Sequence, residues 1–336
     1  LRRHRYSNAG QFPLHMAGNT AGERKAMTSI PIELITFPGA PNLPIFAALE
    51  HGSFARHGLA VNMSHTPNSA YMAKELVAGK YHIGGTAFDN VVAYQEGQGV
   101  AELDREPDLF AFMGATQIEL AFVVAPEIES YEQIKGRSIA LDALTTGFAF
   151  VLYRILANAG LKPGENEFAA VGATPQRWES VKSGAHAGTI NIEPFTSIAQ
   201  AAGYRVLEKS SDVLAHYQGG CFAASRKWAS ANPQALQGYI AGYLEGLAWT
   251  LDTANRDDAA RLLMSNMPQI KPGVIDAVMQ SLLSPRSGLT PNGAIVGEGV
   301  QTVLELRTEY GSGAETLTDP QKYIDLTYYD AVANRS

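Results

Sequence analysis

A single cysteine, Cys221, stands in 336 residues, so neither an internal disulfide nor a cysteine-cluster metal site can be built. The compartment stays open on this point, because an oxidising environment tolerates a chain with no bridge. Positive charge is also scarce: 26 Lys and Arg against 33 Asp and Glu give a net charge of -7. Binding phosphate chains needs a concentrated basic face, so no nucleic acid is expected as a partner. No run of about 18 uncharged apolar residues occurs, which argues against a membrane-spanning helix. Catalytic signatures are missing as well. There is no HExxH, GxSxG or Walker loop, the stretch GQGVAE lacks the last glycine of a dinucleotide fingerprint, and the eight histidines show no ligand spacing. No catalytic residue, metal or cofactor is therefore expected, and the chain is read as a binding protein rather than an enzyme.

What is present is a globular composition, 46% hydrophobic and 18% charged, with ample length for one large domain or two lobes. Residues 1–29 differ from the rest. They carry Arg2, Arg3, Arg5, Arg24 and Lys25 and no apolar stretch of the length a secretory signal needs. Met16 and Met27 lie inside a chain that is numbered from a leucine, so residue 1 is not read as the natural start. A basic N-terminal arm of this kind is expected to rest on something. A neighbouring subunit is one candidate, which would make the chain a homo-oligomer.

From Ile30 short β-rich runs alternate with amphipathic stretches, the pattern of βα units. IELITF leads through PGAPNLP into a helix that Pro44 should open and Gly52 should close. LAVNMSH precedes YMAKELVAGK, and YHIGG runs directly into TAFDNVVAYQEG. After LFAFMGATQIELAFVVA, read as two strands, a second series follows: SIALDA before TTGFAFVLYRILANAG, FAAVGA before TPQRWESVKSG, and AGTINI before EPFTSIAQAAG. GGCFAAS is read as a return strand, and the remainder as mostly helical. Two such series predict two α/β lobes, with a cleft beyond the carboxyl ends of their strands.

Candidate contacts lie at those ends. Thr145, Thr146 and Gly147 open a helix, where unpaired N–H groups and the dipole favour an anionic or acceptor group, although a threonine there can simply be a cap. Thr86 and Asp89 have capping-box spacing, which accounts for Asp89, whereas Phe88 could wall a flat ligand. Asn42 either caps its helix or reaches the cleft. Arg177 and Trp178 could face ligand, but surface and core roles are commoner. Glu193 precedes Pro194, read as the first helical residue, where dipole stabilisation of about 0.3 to 1 kcal/mol is a weak reason for a glutamate. A carboxylate directed from there into a cleft would pair with an N–H donor or a cation on a ligand.

The order of PNLPIFAALEHGSFARHGL, ELVAGKYHIGGT, SYEQIKGRSIAL, ILANAGLKPGE, SVKSGAHAGTI, EPFTSIAQAAGYRVL and ANPQALQGYIAGYLEGLAW, covering about Ile32 to Thr250, resembles the solute-binding proteins of ABC importers in the nitrate, sulfonate, taurine and thiamine-pyrimidine group. The resemblance implies a type II periplasmic-binding-protein fold, two α/β lobes joined by a two-stranded hinge near Gly114 and Tyr217. Such a protein closes over a small-molecule solute in the periplasm and delivers it to an ABC permease. Lobe one would be residues 30–115 with 218–336, and lobe two residues 116–217. Ligand contacts carried over by position are Phe37 to Asn42, then Thr86, Ala87 and Phe88, then Thr145, Thr146 and Gly147, then Asn191 and Glu193. The chain departs from the pattern at Ile192 and at His82, which replaces a usual acidic residue. The implied ligand is small and polar with an N–H donor and an acceptor, and Phe37, Tyr71 and Phe88 allow a flat ring. Two alternatives stay open: an enzyme resembling the pyrimidine synthases of thiamine biosynthesis, whose cysteine-rich motif is missing here, and a cytoplasmic ligand sensor.

Overall fold

A computed structural model describes residues 29–334; the expectation of an interface-forming basic arm lies outside them, apart from residue 29. Ten strands follow in order: β1 Ile30–Thr36, β2 Leu59–His65, β3 Ile83–Ala87, β4 Leu109–Thr116, β5 Ala121–Val124, β6 Ser138–Leu141, β7 Glu167–Ala170, β8 Gly188–Asn191, β9 Arg205–Lys209 and β10 Gly220–Ser225. They make two five-stranded sheets, ordered β2-β1-β3-β10-β4 and β7-β6-β8-β5-β9. In each, three parallel strands from βα units are followed by a strand running the other way, β10 against β3 and β5 against β8. Helices cover both faces, so strands such as β4, buried at all eight positions, read as continuous apolar runs rather than alternating ones.

The chain crosses between lobes at residues 117–120 and returns at residues 210–219. These two connections form the hinge of a type II periplasmic-binding-protein fold. The long helix Pro233–Leu251 packs on Leu43–Glu50, and Gly246 lets the two approach: an added Cβ would lie 2.2 Å from Pro44 O. The helix Gly297–Tyr310 behaves differently. Its Val300, Val303 and Leu304 share one core cluster with Val92 and Ala111 of the first lobe and Phe122, Ile139 and Phe150 of the second. Apolar packing therefore runs continuously across the lobe boundary along that edge.

Several local expectations change. The helix expected from Pro44 begins at Leu43 after a 3-10 turn Ala40–Asn42. The helix expected from Pro194 begins at Phe195, and the Glu193–Pro194 peptide is cis. No Thr86–Asp89 capping box forms; Asp89 instead makes a two-point bond with Arg307, Nε to Oδ1 at 2.7 Å and Nη2 to Oδ2 at 2.6 Å, with both side chains fully buried. The strand β9 was not foreseen, because its side chains are only partly buried at an edge beside β5 and show no apolar periodicity.

Candidate functional site

The carboxyl ends of β1, β3, β6 and β8 face a cavity between the lobes, lined by residues of both and of the crossovers, with a volume of about 80 Å³. That is several times the roughly 10 to 15 Å³ a cavity needs to hold one water, so there is room for a small molecule. Its walls are largely apolar, with Phe37, Ile118, Phe148, Ile192 and Phe222 among them. A limited polar set stands between them, as expected of a small-molecule site.

Of the residues expected here, Phe37, Asn42, Thr86, Thr146 and Gly147 line the cavity, as does Ala87. Asn42 is committed to the loop, its Nδ2 donating to Phe37 O at 2.8 Å. Thr86 Oγ1 accepts from Asn90 Nδ2 at 3.0 Å, which leaves its own hydroxyl hydrogen to donate. Thr146 does not cap the helix Gly147–Asn158; its hydroxyl donates to Ala143 O at 3.3 Å. Gly147 is required by closeness, because a Cβ there would lie 2.6 Å from Asp89 Cβ.

Four expected residues lie off the cavity. Phe88 is fully buried in the shared core, edge-on to Tyr323 at 6.5 Å. Thr145 is exposed and offers its carbonyl to Arg307 Nη2 at 2.9 Å. Asn191 is buried, with Nδ2 turned to Phe195 O at 3.4 Å. The Glu193 carboxylate is held from behind by Ser197, whose N–H reaches Oε2 at 3.3 Å and whose Oγ–H reaches Oε1 at 2.9 Å. Successive side chains leave an extended strand on opposite sides, and β8 ends at Asn191 with Ile192, the next residue, on the cavity wall, while Glu193 stands in the turn before the cis proline. Burial pushes the Glu193 carboxyl up to about 7, with the Ser197 bonds pulling the other way. Two other readings also move. His82 accepts from Glu33 N–H at 3.0 Å and stacks on Trp228 at 5.3 Å, and Tyr71 takes a bond from Lys80 at 2.9 Å; neither lines the cavity.

The charged groups on the cavity are Arg177 and Asp142. Arg177 is 2% exposed and donates only to neutral acceptors: Thr189 Oγ1 at 3.2 Å, Gly172 O at 2.8 Å, Thr174 Oγ1 at 3.0 Å and Ile190 O at 2.9 Å. Burial pulls its pKa down to about 10 while the Asp142 charge opposes the shift, so the guanidinium remains charged at neutral pH. A cation in the first turn of the helix Thr174–Lys182 opposes the helix dipole. That mismatch is the readable signal in TPQRW, and the four hydrogen bonds offset it. Asp142 follows β6 and accepts through Oδ2 from Ser69 N–H at 3.1 Å and from the Ser69 hydroxyl. Cys221 also lines the cavity, but its thiol is pushed far up by complete burial and is held protonated. Among the described residues no group of three His, Cys, Asp or Glu is placed to hold a metal, and no helix is long and apolar enough to cross a membrane.

The sequence matches the family model described as "NMT1-like family" over residues 29–264. The chain belongs to the NMT1-like family. Three solved structures show how widely its fold is shared. A protein from Bordetella bronchiseptica RB50 superposes with a TM-score of 0.76 at 20% identity, covering 92% of this chain and 98% of that one. The periplasmic nitrate-binding protein NrtA from Synechocystis PCC 6803 gives 0.73 at 13% identity, with 91% and 89% covered. The periplasmic aliphatic sulphonate binding protein SsuA from Escherichia coli gives 0.66 at 19% identity, with 88% and 92% covered. No curated protein matches this NMT1-like chain. At these identities the superpositions establish the two-lobed fold, and the cavity between its lobes corresponds to the strand-end crevice in which open α/β sheets bind ligands.

Proposed function

We propose that this NMT1-like chain is the solute-binding component of an ABC importer, working in the periplasm and delivering a small solute to a membrane permease. The observation that carries the reading is the interlobe cavity, lined by both lobes and flanked by a buried guanidinium with no carboxylate bonded to it. A small solute would place an anionic or acceptor-rich end near Arg177, Thr174 and the N-terminus at Gly147. Its apolar or flat body would lie among Phe37, Phe148 and Phe222. The names of the sulphonate- and nitrate-binding neighbours fit such an anion, and Thr86 supplies one hydrogen-bond donor. Glu193, with its carboxylate turned away, has no part in this contact set. A synthase reading is less favoured, because a thiol kept protonated is a poor nucleophile.

Titration calorimetry with alkylsulfonates, taurine, nitrate and aminopyrimidines tests the reading, using wild type and Ala87→Trp, which fills the cavity. One-to-one binding of an anion at micromolar or tighter affinity, lost in the variant while the melting temperature stays within a few degrees, is expected. Binding unchanged in Ala87→Trp would place the solute elsewhere, and preference for a cation would overturn the charge assignment. Permease and ATPase genes beside this one would support import.

A further inference from the structure

Two stretches of the first lobe are gripped by the second at the cavity edge. At one, Ala40 N–H donates to Glu193 O at 2.9 Å. The other, Pro67 to Ser69, is held at three points. Pro67 O accepts from Ala173 N–H at 2.9 Å. Gly172, at φ +116°, lies against the same oxygen, where an added Cβ would stand 3.1 Å away. Ser69 gives both its N–H and its hydroxyl to Asp142 Oδ2.

That third contact has a structural meaning beyond an ordinary hydrogen bond. Ser69 opens the helix Ser69–Ala78, and its N–H is among the donors that a helix cannot satisfy internally. The neighbouring Asn68 side chain serves only Tyr71 N–H, at 2.7 Å. Thr66 braces the turn by donating to Asn68 O at 2.6 Å, so the loop is already shaped and lacks one acceptor. The second lobe supplies it. When the lobes part, the Ser69 donors and the carboxylate both return to water, so this cap belongs to the closed form alone and biases the equilibrium toward it.

We infer that Asp142 is the closure clasp of this cleft: a positioning residue that caps the Ser69–Ala78 helix across the lobe interface and sets how much of the protein is closed. What the clasp retains rests on the solute-binding reading; the clasp itself does not. Two ordinary hydrogen bonds to one acceptor oxygen favour the closed form by roughly ten- to a hundredfold.

Electron-paramagnetic distance measurements between spin labels at Lys74→Cys and Glu179→Cys, exposed sites on the two lobes, read the closed fraction directly. The native Cys221 is buried and escapes labelling. Without added solute, wild type should show a measurable population at the short interlobe distance beside the longer one. Asp142→Ala should shift the open-to-closed ratio tenfold or more, Asp142→Asn should shift it less, and Ser69→Ala combined with Asp142→Ala should be no worse than Asp142→Ala alone. A wild type lacking the short distance, an Asp142→Ala distribution equal to wild type, or additive effects in the double variant would each overturn the clasp. Adding the calorimetry panel separates the two claims. If no solute binds by calorimetry or raises the wild-type short-distance fraction while Asp142→Ala still lowers that fraction, solute binding fails and the clasp stands. If solutes close wild type and Asp142→Ala equally and their starting distributions coincide, the clasp fails and solute binding stands.

Discussion

Glu193 shows how a single residue can be noticed for a sound reason and still stand off the cavity expected to use it. A glutamate at the end of β8 is unusual, and its oddity is physical: the carboxyl is nearly buried and is pushed from its ordinary 4.5 to about 7. Its side chain nonetheless bonds Ser197 and does not line the interlobe cavity, where Ile192 stands instead. A raised carboxyl pKa means the folded state holds the proton more tightly than the unfolded chain. Its stabilising contribution is complete below about pH 4.5 and is lost as pH rises through about 7, to a limit of about 3 kcal/mol. Urea denaturation between pH 4.5 and 8 should show wild type losing stability across that window and Glu193→Gln following a flatter curve. Equal slopes would remove Glu193 as the source. Arg177 is the converse case: expected at the surface or in the core, it is buried and also lines the cavity, and its sequence signal is a cation where a helix start disfavours one.

Among the elements, legibility followed locality. The βα units were readable because strand runs, proline-opened helices and glycine stops repeat within a few residues, and Phe37, Thr86 and Gly147 could be placed because they lie at the carboxyl end of a strand or the start of the helix that follows it. The strand β9, half exposed at an edge, carries no such period. The contributions of Ile118, Asp142 and Phe222 depend on how the lobes and crossovers meet, which no local pattern encodes. The helix Gly297–Tyr310 illustrates this most plainly. Its Arg307 reaches Asp89 in the helix Phe88–Gln95, stacks over Phe150 at 4.8 Å and bonds Thr145 O, tying three elements far apart in sequence. Breaking one half of a buried ion pair leaves an uncompensated charge, so Arg307→Met should cost about 3 to 5 kcal/mol in chemical denaturation. Adding Asp89→Leu to it should recover much of that loss. A cost below about 1 kcal/mol for Arg307→Met would show that the Asp89 carboxylate finds another partner.

At the scale of the whole molecule, two sheets of the same strand order enclose a cavity that neither lobe forms alone, and the contacts around it are made in the closed arrangement. The two-lobed architecture was legible because both series of βα units could be counted along the chain. The size of the cavity and the direction of its side chains were not, since both follow from closure. The central claim is that this space holds the solute, and the most direct test is a crystal structure of the protein saturated with the anion that calorimetry selects. Electron density for one molecule between Phe37, Phe148 and Phe222, with its charged end nearest Arg177, is the predicted result. Density at another place on the protein, or a closed cavity holding only water at saturating solute, would contradict it.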